Sequence, residues 1–155
     1  MNVAEALRVL SSRVVIGWLE HVGVPDLMIP CLTAKTDTGA RTSSLHADKI
    51  EGYTLGGAPY VRFLPPQRWV DARNAGQYVE MPVIDKRTIR NSGGETEIRF
   101  VIGVSICIGQ LVMDIELNLT DRTRMRYDML LGRTTLSERF LIQPGITFAA
   151  GLPRI

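Results

Sequence analysis

The chain has 155 residues, of which 45% are hydrophobic and 22% charged, and a formal net charge of +2. This length suits one domain with a substantial core, and the composition excludes disordered and fibrous proteins. The charge is too small to indicate nucleic-acid binding, and no apolar run reaches the ~18 residues of a membrane span. The N-terminus has no secretory signal, and Cys31 and Cys107 lack metal-ligand or redox spacing, so we expect a cytoplasmic protein.

The first part of the chain predicts a leader followed by two strands. Residues 1–12 place apolar side chains at helical spacing and form a leader that is either helical or disordered. Residues 13–155 form a single domain. Residues 14–19 are β-branched and aromatic, which is typical of a strand. After a turn, a second strand runs from about residue 29 to residue 35.

The middle of the chain has a weaker pattern. Glycine and proline interrupt residues 52–78, and only residues 60–63 indicate a strand there. A strand-like run at 87–89 is followed by Asn-Ser-Gly-Gly at 91–94. Turn residues between two strand-like runs predict the tip of a β-hairpin.

The last third has the clearest β pattern. Apolar and polar residues alternate through 104–108 and again through 111–119, on either side of a Gly-Gln turn, which predicts a half-buried antiparallel hairpin. Residues 129–132 predict a short buried strand, residues 133–140 one or two helical turns, and residues 141–142 a last strand. Many short strands with one short C-terminal helix predict a small, mostly antiparallel, all-β barrel.

One tripeptide, Asp37-Thr38-Gly39, follows the second strand and has a chemical meaning. Peptide hydrolysis needs a general base and a general acid together, and two carboxylates about 3 Å apart supply both because they share one proton. A threonine hydroxyl can lock two such loops, and a glycine N–H can orient the carboxylate. Asp, Thr and Gly are also ordinary turn residues, so the tripeptide alone could be a surface turn.

The surrounding residues resemble a known family. The pairing of Asp-Thr-Gly-Ala at 37–40 with Leu-Leu-Gly-Arg at 130–133 resembles the retropepsin plan, in which the second motif packs behind the catalytic loop. The chain is more specifically similar, from about residue 14 to residue 148, to bacterial proteins often labelled ATP-dependent zinc proteases and also described as retropepsin-like. Some members of that family are linked to glutamate-ligase systems that modify a ribosomal protein. The segments that resemble it lie at 16–18, 27–30, 34–46 and 129–134.

The resemblance implies a fold and an assembly. It implies a small closed retropepsin-like (acid protease) β-barrel and an aspartic endopeptidase with one catalytic aspartate per chain. The second Asp37 would come from the partner chain of a homodimer. A flap hairpin, matched by residues 87–97, would cover the cleft, with Gly93 and Gly94 at its mobile, substrate-contacting tip.

The zinc and ATP parts of the family label have little support in the sequence. The chain has no His-Glu-x-x-His motif and no glycine-rich phosphate loop, so we reject ATP and expect no cofactor. A zinc site through His46 with Asp37 or Asp48 stays open as an alternative.

Basic residues replace two features of the viral enzymes. Lys35 stands where retropepsins have an apolar residue that lines a substrate pocket, and Arg41 stands where they have an acid that pairs with the arginine of the second motif. Lys35, Arg41 and Arg133 are therefore predicted to form a basic rim that binds acidic side chains.

Structural explanations for these charges remain open. Lys35 could extend into solvent, and Arg41 could form an ion pair with Asp48, Asp128 or Glu138.

The sequence therefore predicts a homodimeric peptidase with Asp37, Thr38 and Gly39 at its centre, acting on glutamate-rich or glutamylated protein tails. The expected partners are a second copy and an acidic peptide, with no nucleic acid and no membrane. A zinc-dependent peptidase and a non-catalytic module that binds acidic peptides are the alternatives.

Overall fold

The computed structural model describes residues 1–91 and 93–154, and strands dominate its secondary structure. The helices are α1 (Val3–Ser12) and α2 (Arg133–Leu136). The strands are β1 (Val14–Ile16), β2 (Leu19–Val24), β3 (Ile29–Thr36), β4 (Ser43–His46), β5 (Asp48–Leu55), β6 (Ala58–Leu64), β7 (Val79–Pro82), β8 (Asp85–Arg90), β9 (Thr96–Ile108), β10 (Leu111–Thr120), β11 (Met129–Leu131) and β12 (Phe140–Ile142).

A closed ring of strands forms the body of the molecule. Along the ring the order is β10, β4, β11, β3, β2 and β9, and β9 pairs with β10 again to close it. Two of these contacts are parallel, β10 with β4 and β11 with β3, and the others are antiparallel. The prediction of an all-β, closed barrel with a short C-terminal helix is confirmed.

Alternating side chains fill the barrel. On β9 the inward positions Val104, Ile106 and Ile108 are at most 3% exposed, and Leu117 and Leu119 on β10 are similarly buried. A strand places alternate residues on opposite faces, so this period-two pattern turns one face of the hairpin into the core. The predicted 104–119 hairpin is confirmed, with Leu111 opposite Ile108 beside the turn.

Two smaller sheets flank the barrel. β5, β6 and β7 form an antiparallel sheet, and β1 pairs in parallel with β12. β5 lies in part within residues 52–78, which were predicted to hold only one convincing strand at 60–63. Its residues are exposed or half-buried on both faces, so no apolar alternation marks it in the sequence.

The prediction of one continuous strand at 14–19 is wrong. The chain breaks at Gly17-Trp18, so that β1 leaves to pair with β12 while β2 joins the barrel. The buried carboxylate of Glu20 holds this break, because it accepts the Gly17 N–H at 2.7 Å and the N–H groups of Ala149 and Ala150 at 2.9 and 3.0 Å. Two of these three hydrogen bonds join residues far apart in the chain, and they leave no local pattern in the sequence.

The predicted leader is helical from Val3 to Ser12. Asn2 and Glu5 form a capping box at its N-terminus. None of its residues is buried, and Leu7 and Leu10 are each 60% exposed. In the described part of the chain, no helix combines the length and the apolar character needed to cross a membrane.

Candidate active site

The Asp-Thr-Gly segment forms a tight loop at the end of β3. The Asp37 N–H donates to the carbonyl of Leu131 on β11 at 2.9 Å, which fixes the loop to the barrel. One carboxylate oxygen of Asp37 accepts the Gly39 N–H at 2.9 Å. The glycine therefore orients the carboxylate, as its chemistry in this motif suggests.

The second motif packs directly behind this loop. The N–H groups of Arg133 and Thr134 donate to the carbonyls of Ala40 and Arg41 at 2.8 and 3.0 Å. Gly132 donates to the Ser43 hydroxyl at 3.0 Å. A side chain at Gly132 would lie 2.5 Å from the backbone carbon of Thr42, so only glycine fits this contact.

The side chain of Arg133 contacts the backbone of the loop. Its guanidinium donates to the carbonyl oxygen of Thr38 at 3.0 Å. Within residues 1–91 and 93–154, no carboxylate lies within 4.0 Å of Arg133 or Arg41. The ion pairs considered for Arg41 are therefore not found there, since Asp48 contacts His46 and Asp128 pairs with Arg68.

A cleft of about 1490 Å³ opens beside the loop, and Asp37, Gly39, Arg41 and Arg133 lie on its wall. Residues of the hairpin of β8 and β9, the segment that matches the flap, also line the cleft. Five further arginines also line the cleft: Arg87, Arg90, Arg99, Arg122 and Arg124. Because its described lining has seven arginines against four carboxylates, the cleft has an excess of positive charge.

The predicted hairpin at 87–97 is confirmed, while its role as a flap stays a prediction, and Asn91 organises its tip. The Asn91 side chain accepts the N–H groups of Gly93 and Glu95 at 2.9 and 3.1 Å, and Gly94 has a φ of 84°, which favours glycine. Gly93 faces the cleft. Ser92, the other residue of the predicted tip, lies outside the described residues.

The predicted binding residues divide into two groups. Arg41, Arg133 and Gly93 line the cleft together with Asp37 and Gly39, whereas Lys35 is exposed on β3 and does not line it. Thr38 and Gly94 lie next to lining residues in the chain. Their roles in catalysis and binding remain predictions.

Sequence reasoning missed Arg99 and Arg122. Arg122 follows β10 and is only 7% exposed, and the side chain of Arg99 on β9 is 12% exposed. Burial, and then the nearby charge of Arg99, lower the pKa of Arg122, while the charges of Asp128 and Asp37 act in the opposite direction. No local pattern marks an arginine as buried, so the sequence had no signal for this pair.

The structure supports one version of the predicted zinc alternative, because His46, Asp48 and Asp121 lie close enough together to hold a metal ion. The acids near this histidine are Asp48, 3.1 Å from Nε2, and Asp121, 3.7 Å from Nδ1, whereas Asp37 is not in the group. The Arg122 N–H donates to Nδ1 at 2.8 Å, which leaves Nε2, 3.1 Å from Asp48, as the nitrogen that a metal could use. Zinc through His46 and Asp48 therefore stays a prediction.

Glu97 on β9 gives a pH prediction for this wall of the cleft. Burial raises its pKa, but hydrogen bonds from Thr120 and Arg99 outweigh burial and hold the pKa below its ordinary value of 4.5. A carboxylate whose pKa is lower in the folded state stabilises the fold at pH values above its unfolded-state pKa. This stabilisation is lost as the pH falls through the folded-state pKa. We therefore expect the free energy of unfolding to decrease as the pH drops below 4.5.

Urea unfolding at a series of pH values checks this prediction. In Glu97→Gln the acid-dependent loss of stability should be smaller than in the wild type. An unchanged pH profile in the variant would contradict it.

The fold and the loop geometry define a class, the retropepsin-like barrel. The family model that matches residues 15–152 is described as RimB-like, retropepsin-like aspartic endopeptidase RimB. This match spans most of the chain, and the chain belongs to that family.

Individual relatives match most of this chain, although none of their names mentions a peptidase. A protein of unknown function from Legionella pneumophila has a crystal structure that matches with a TM-score of 0.72 at 31% identity, covering 90% of this chain and 99% of that one. Two proteins named probable alpha-L-glutamate ligase, from Desulfotalea psychrophila and Shewanella halifaxensis, are 39% and 40% identical over 90% of this chain. The chain spans only 30% of the length of these ligase-named relatives.

Proposed function

We propose that this protein is an aspartic endopeptidase that hydrolyses acidic, glutamate-rich protein tails with two Asp37 side chains, one from each subunit of a homodimer. The observation that carries the proposal is the Asp37 loop, a carboxylate oriented by Gly39 on the wall of an arginine-rich cleft. Its family supplies the reaction class.

In this mechanism the two carboxylates share one proton. The ionised Asp37 takes a proton from a water molecule, and the protonated one gives its proton to the carbonyl oxygen of the scissile bond. Thr38 and Gly39 hold the loop in place. The sequence has no second Asp-Thr-Gly or Asp-Ser-Gly, so a single chain holds only half of such a dyad.

An exposed surface beside the loop supports the proposed dimer. The hydroxyl of Thr36, next to Asp37, lies 3.2 Å from the carbonyl oxygen of Trp18, and the Trp18 side chain is 37% exposed. Val14 and Val15 on the neighbouring β1 are 41% and 49% exposed. A second copy covering these apolar side chains would bring its own Asp37 loop close to the first.

The charge of the cleft supports acidic substrates. Arg41 has no carboxylate within 4.0 Å among the described residues, and it stands beside Asp37 on the same wall. A free guanidinium can bind a substrate carboxylate through two hydrogen bonds. The name of the curated relatives, probable alpha-L-glutamate ligase, makes glutamate a reasonable side chain to test.

Hydrolysis of matched peptides tests the substrate class. We expect oligoglutamate to be cleaved at least ~10-fold faster than oligoglutamine of equal length, with a preference that shrinks as salt screens the cleft. Chelators should have no effect, because the proposed reaction uses two carboxylates and needs no metal. Arg41→Gln should raise KM several-fold for oligoglutamate, whereas Arg139→Gln, an exposed arginine outside the cleft, should not.

Two outcomes would contradict the proposal. Loss of activity with chelator would favour the zinc alternative. Tight binding of oligoglutamate by a dimeric protein that cleaves nothing would favour the binding-module alternative.

A further inference from the structure

Arg122 is a buried cation without an acidic partner in the described structure. Its Nε–H donates to the carbonyl of Tyr127 at 2.9 Å, but within residues 1–91 and 93–154 neither terminal nitrogen has a hydrogen-bond partner and no carboxylate lies within 4.0 Å. Burying an unpaired charge costs several kcal/mol, so such groups persist mainly where they serve a ligand.

The free side of this guanidinium faces the cleft. Arg122 lines it along with Asp37, and its terminal nitrogens are not among the fully buried polar atoms that lack a partner. The terminal nitrogens therefore keep accessible surface, although Arg122 as a whole is only 7% exposed. These two nitrogens are hydrogen-bond donors in the lining of the cleft that have no partner among the described residues.

Arg99 adds a second cation to the lining of the same cleft. Its Nη1 donates to the side-chain oxygen of Asn118 at 3.0 Å, and its Nε pairs with Glu97, which holds the side chain against the cleft floor. Asn118 in turn accepts the Ser44 hydroxyl at 2.7 Å. Glu97 pairs with Arg99, whereas no carboxylate lies within 4.0 Å of Arg122 in the described structure, so one positive charge here has no ion-pair partner.

Neighbouring residues fix the position of Arg122. The hydrogen bond from its backbone N–H to His46 Nδ1, with Asp48 on the far side of the ring, sets the chain where β10 ends. His46 therefore fixes the backbone at Arg122, and the hydrogen bond from Nε–H to the Tyr127 carbonyl orients the guanidinium. A preorganised donor group loses little entropy when an anion binds.

We propose that Arg99 and Arg122 form a pocket that binds one carboxylate of the substrate beside the scissile bond, and that this pocket sets the preference for glutamate. The inference rests on the proposed function and deepens it, because it assigns the acidic selectivity to a buried pair and not only to the exposed rim at Arg41. The carboxylate can come from a glutamate side chain or from the end of the peptide chain.

A cycle between enzyme and substrate tests the pocket. Hexaglutamate peptides with a single glutamine at each position in turn, all with amidated C-termini, are cleaved by wild type and by Arg122→Met. We expect one position at which glutamine costs the wild type about 100-fold in kcat/KM, and we expect Arg122→Met to lose about the same on hexaglutamate but nothing further at that position. Arg139→Gln serves as the charge-matched control and should retain the wild-type pattern.

Two further arms separate the possible results. Free-acid and amidated peptides distinguish a chain-end carboxylate from a side chain, since only the former loses its preference on amidation. Arg122→Met should fold and keep its thermal midpoint or raise it, because an unpaired buried charge is removed. Equal losses by Arg122→Met on every peptide, with no position-specific coupling, would overturn the pocket.

Binding of the peptides keeps the test valid if no cleavage occurs. Absence of hydrolysis by the wild type would reject the proposed function alone. In that case, hexaglutamate affinity that is the same for wild type and Arg122→Met would reject the pocket, and an affinity loss confined to Arg122→Met would support it.

Discussion

Replacing Asp37 with asparagine is expected to lower kcat/KM on oligoglutamate by about 10⁴-fold or more while leaving the fold intact. Acid–base catalysis by positioned groups contributes up to about that factor, and asparagine can neither accept nor give the proton. The structure predicts an unchanged fold, because among the described residues the Asp37 side chain has one hydrogen bond, from the Gly39 N–H, and an amide oxygen can accept it equally.

Steady-state kinetics with a thermal melt of each variant measure this effect. Asp114→Asn is a suitable control, since Asp114 is an exposed carboxylate on β10 outside the cleft whose contact is with Ser105. A variant at Asp37 that keeps more than about a tenth of wild-type activity would place the chemistry elsewhere.

Gly132→Ala is expected to cause the largest loss of stability, about 3 kcal/mol or more. A methyl group there would lie 2.5 and 2.6 Å from the backbone carbon and oxygen of Thr42 and 3.0 Å from that of Arg41. These atoms belong to the backbone of the loop and cannot rotate away, so the loop and α2 must separate, and overpacking of this kind costs several kcal/mol.

Chemical denaturation of Gly132→Ala beside Gly103→Ala measures the contact. A methyl group at Gly103 on β9 would meet nothing within 4 Å, so that variant should stay within about 0.5 kcal/mol of the wild type. Because the Gly132 segment also holds the loop that carries Asp37, activity should fall along with stability. Equal stability of the two variants would contradict the packing of the second motif against the loop.

The parts of the fold that sequence predicted are those with local signals. The alternation through 104–119 has a period of two and lies on one hairpin. The turn residues at 91–94 mark the preceding hairpin, so both hairpins could be recognised from neighbouring residues. The Asp37 loop had a tripeptide whose residues each have a physical role.

The parts that could not be predicted depend on contacts between distant segments. The break at Gly17 is held by Glu20, which also bonds residues 149–150, and the ring closes through a parallel contact of β4 with β10. The residues around Gly17 and in β4 have no pattern that predicts these contacts. Local propensity cannot report the bonds of Glu20 to residues 149–150 or the pairing of β4 with β10, because the partners lie far apart in the chain.

The candidate site shows the same division. Asp37 and the glycine of the second motif could be found because backbone geometry demands those residue types. Arg99 and Arg122 could not, since arginine is usually exposed and its burial here follows from the packing of β9 and β10. Lys35, which was predicted from its spacing to Asp37, is exposed outside the described cleft.

A subunit-mixing experiment tests the central claim most directly. Wild-type and Asp37→Asn chains are unfolded together, refolded at a series of ratios, and assayed on oligoglutamate at constant total protein. If each active site needs one Asp37 from each of two subunits, activity will fall with the square of the wild-type fraction. A strictly linear fall would show that a single chain carries a complete active site, and it would contradict the shared dyad.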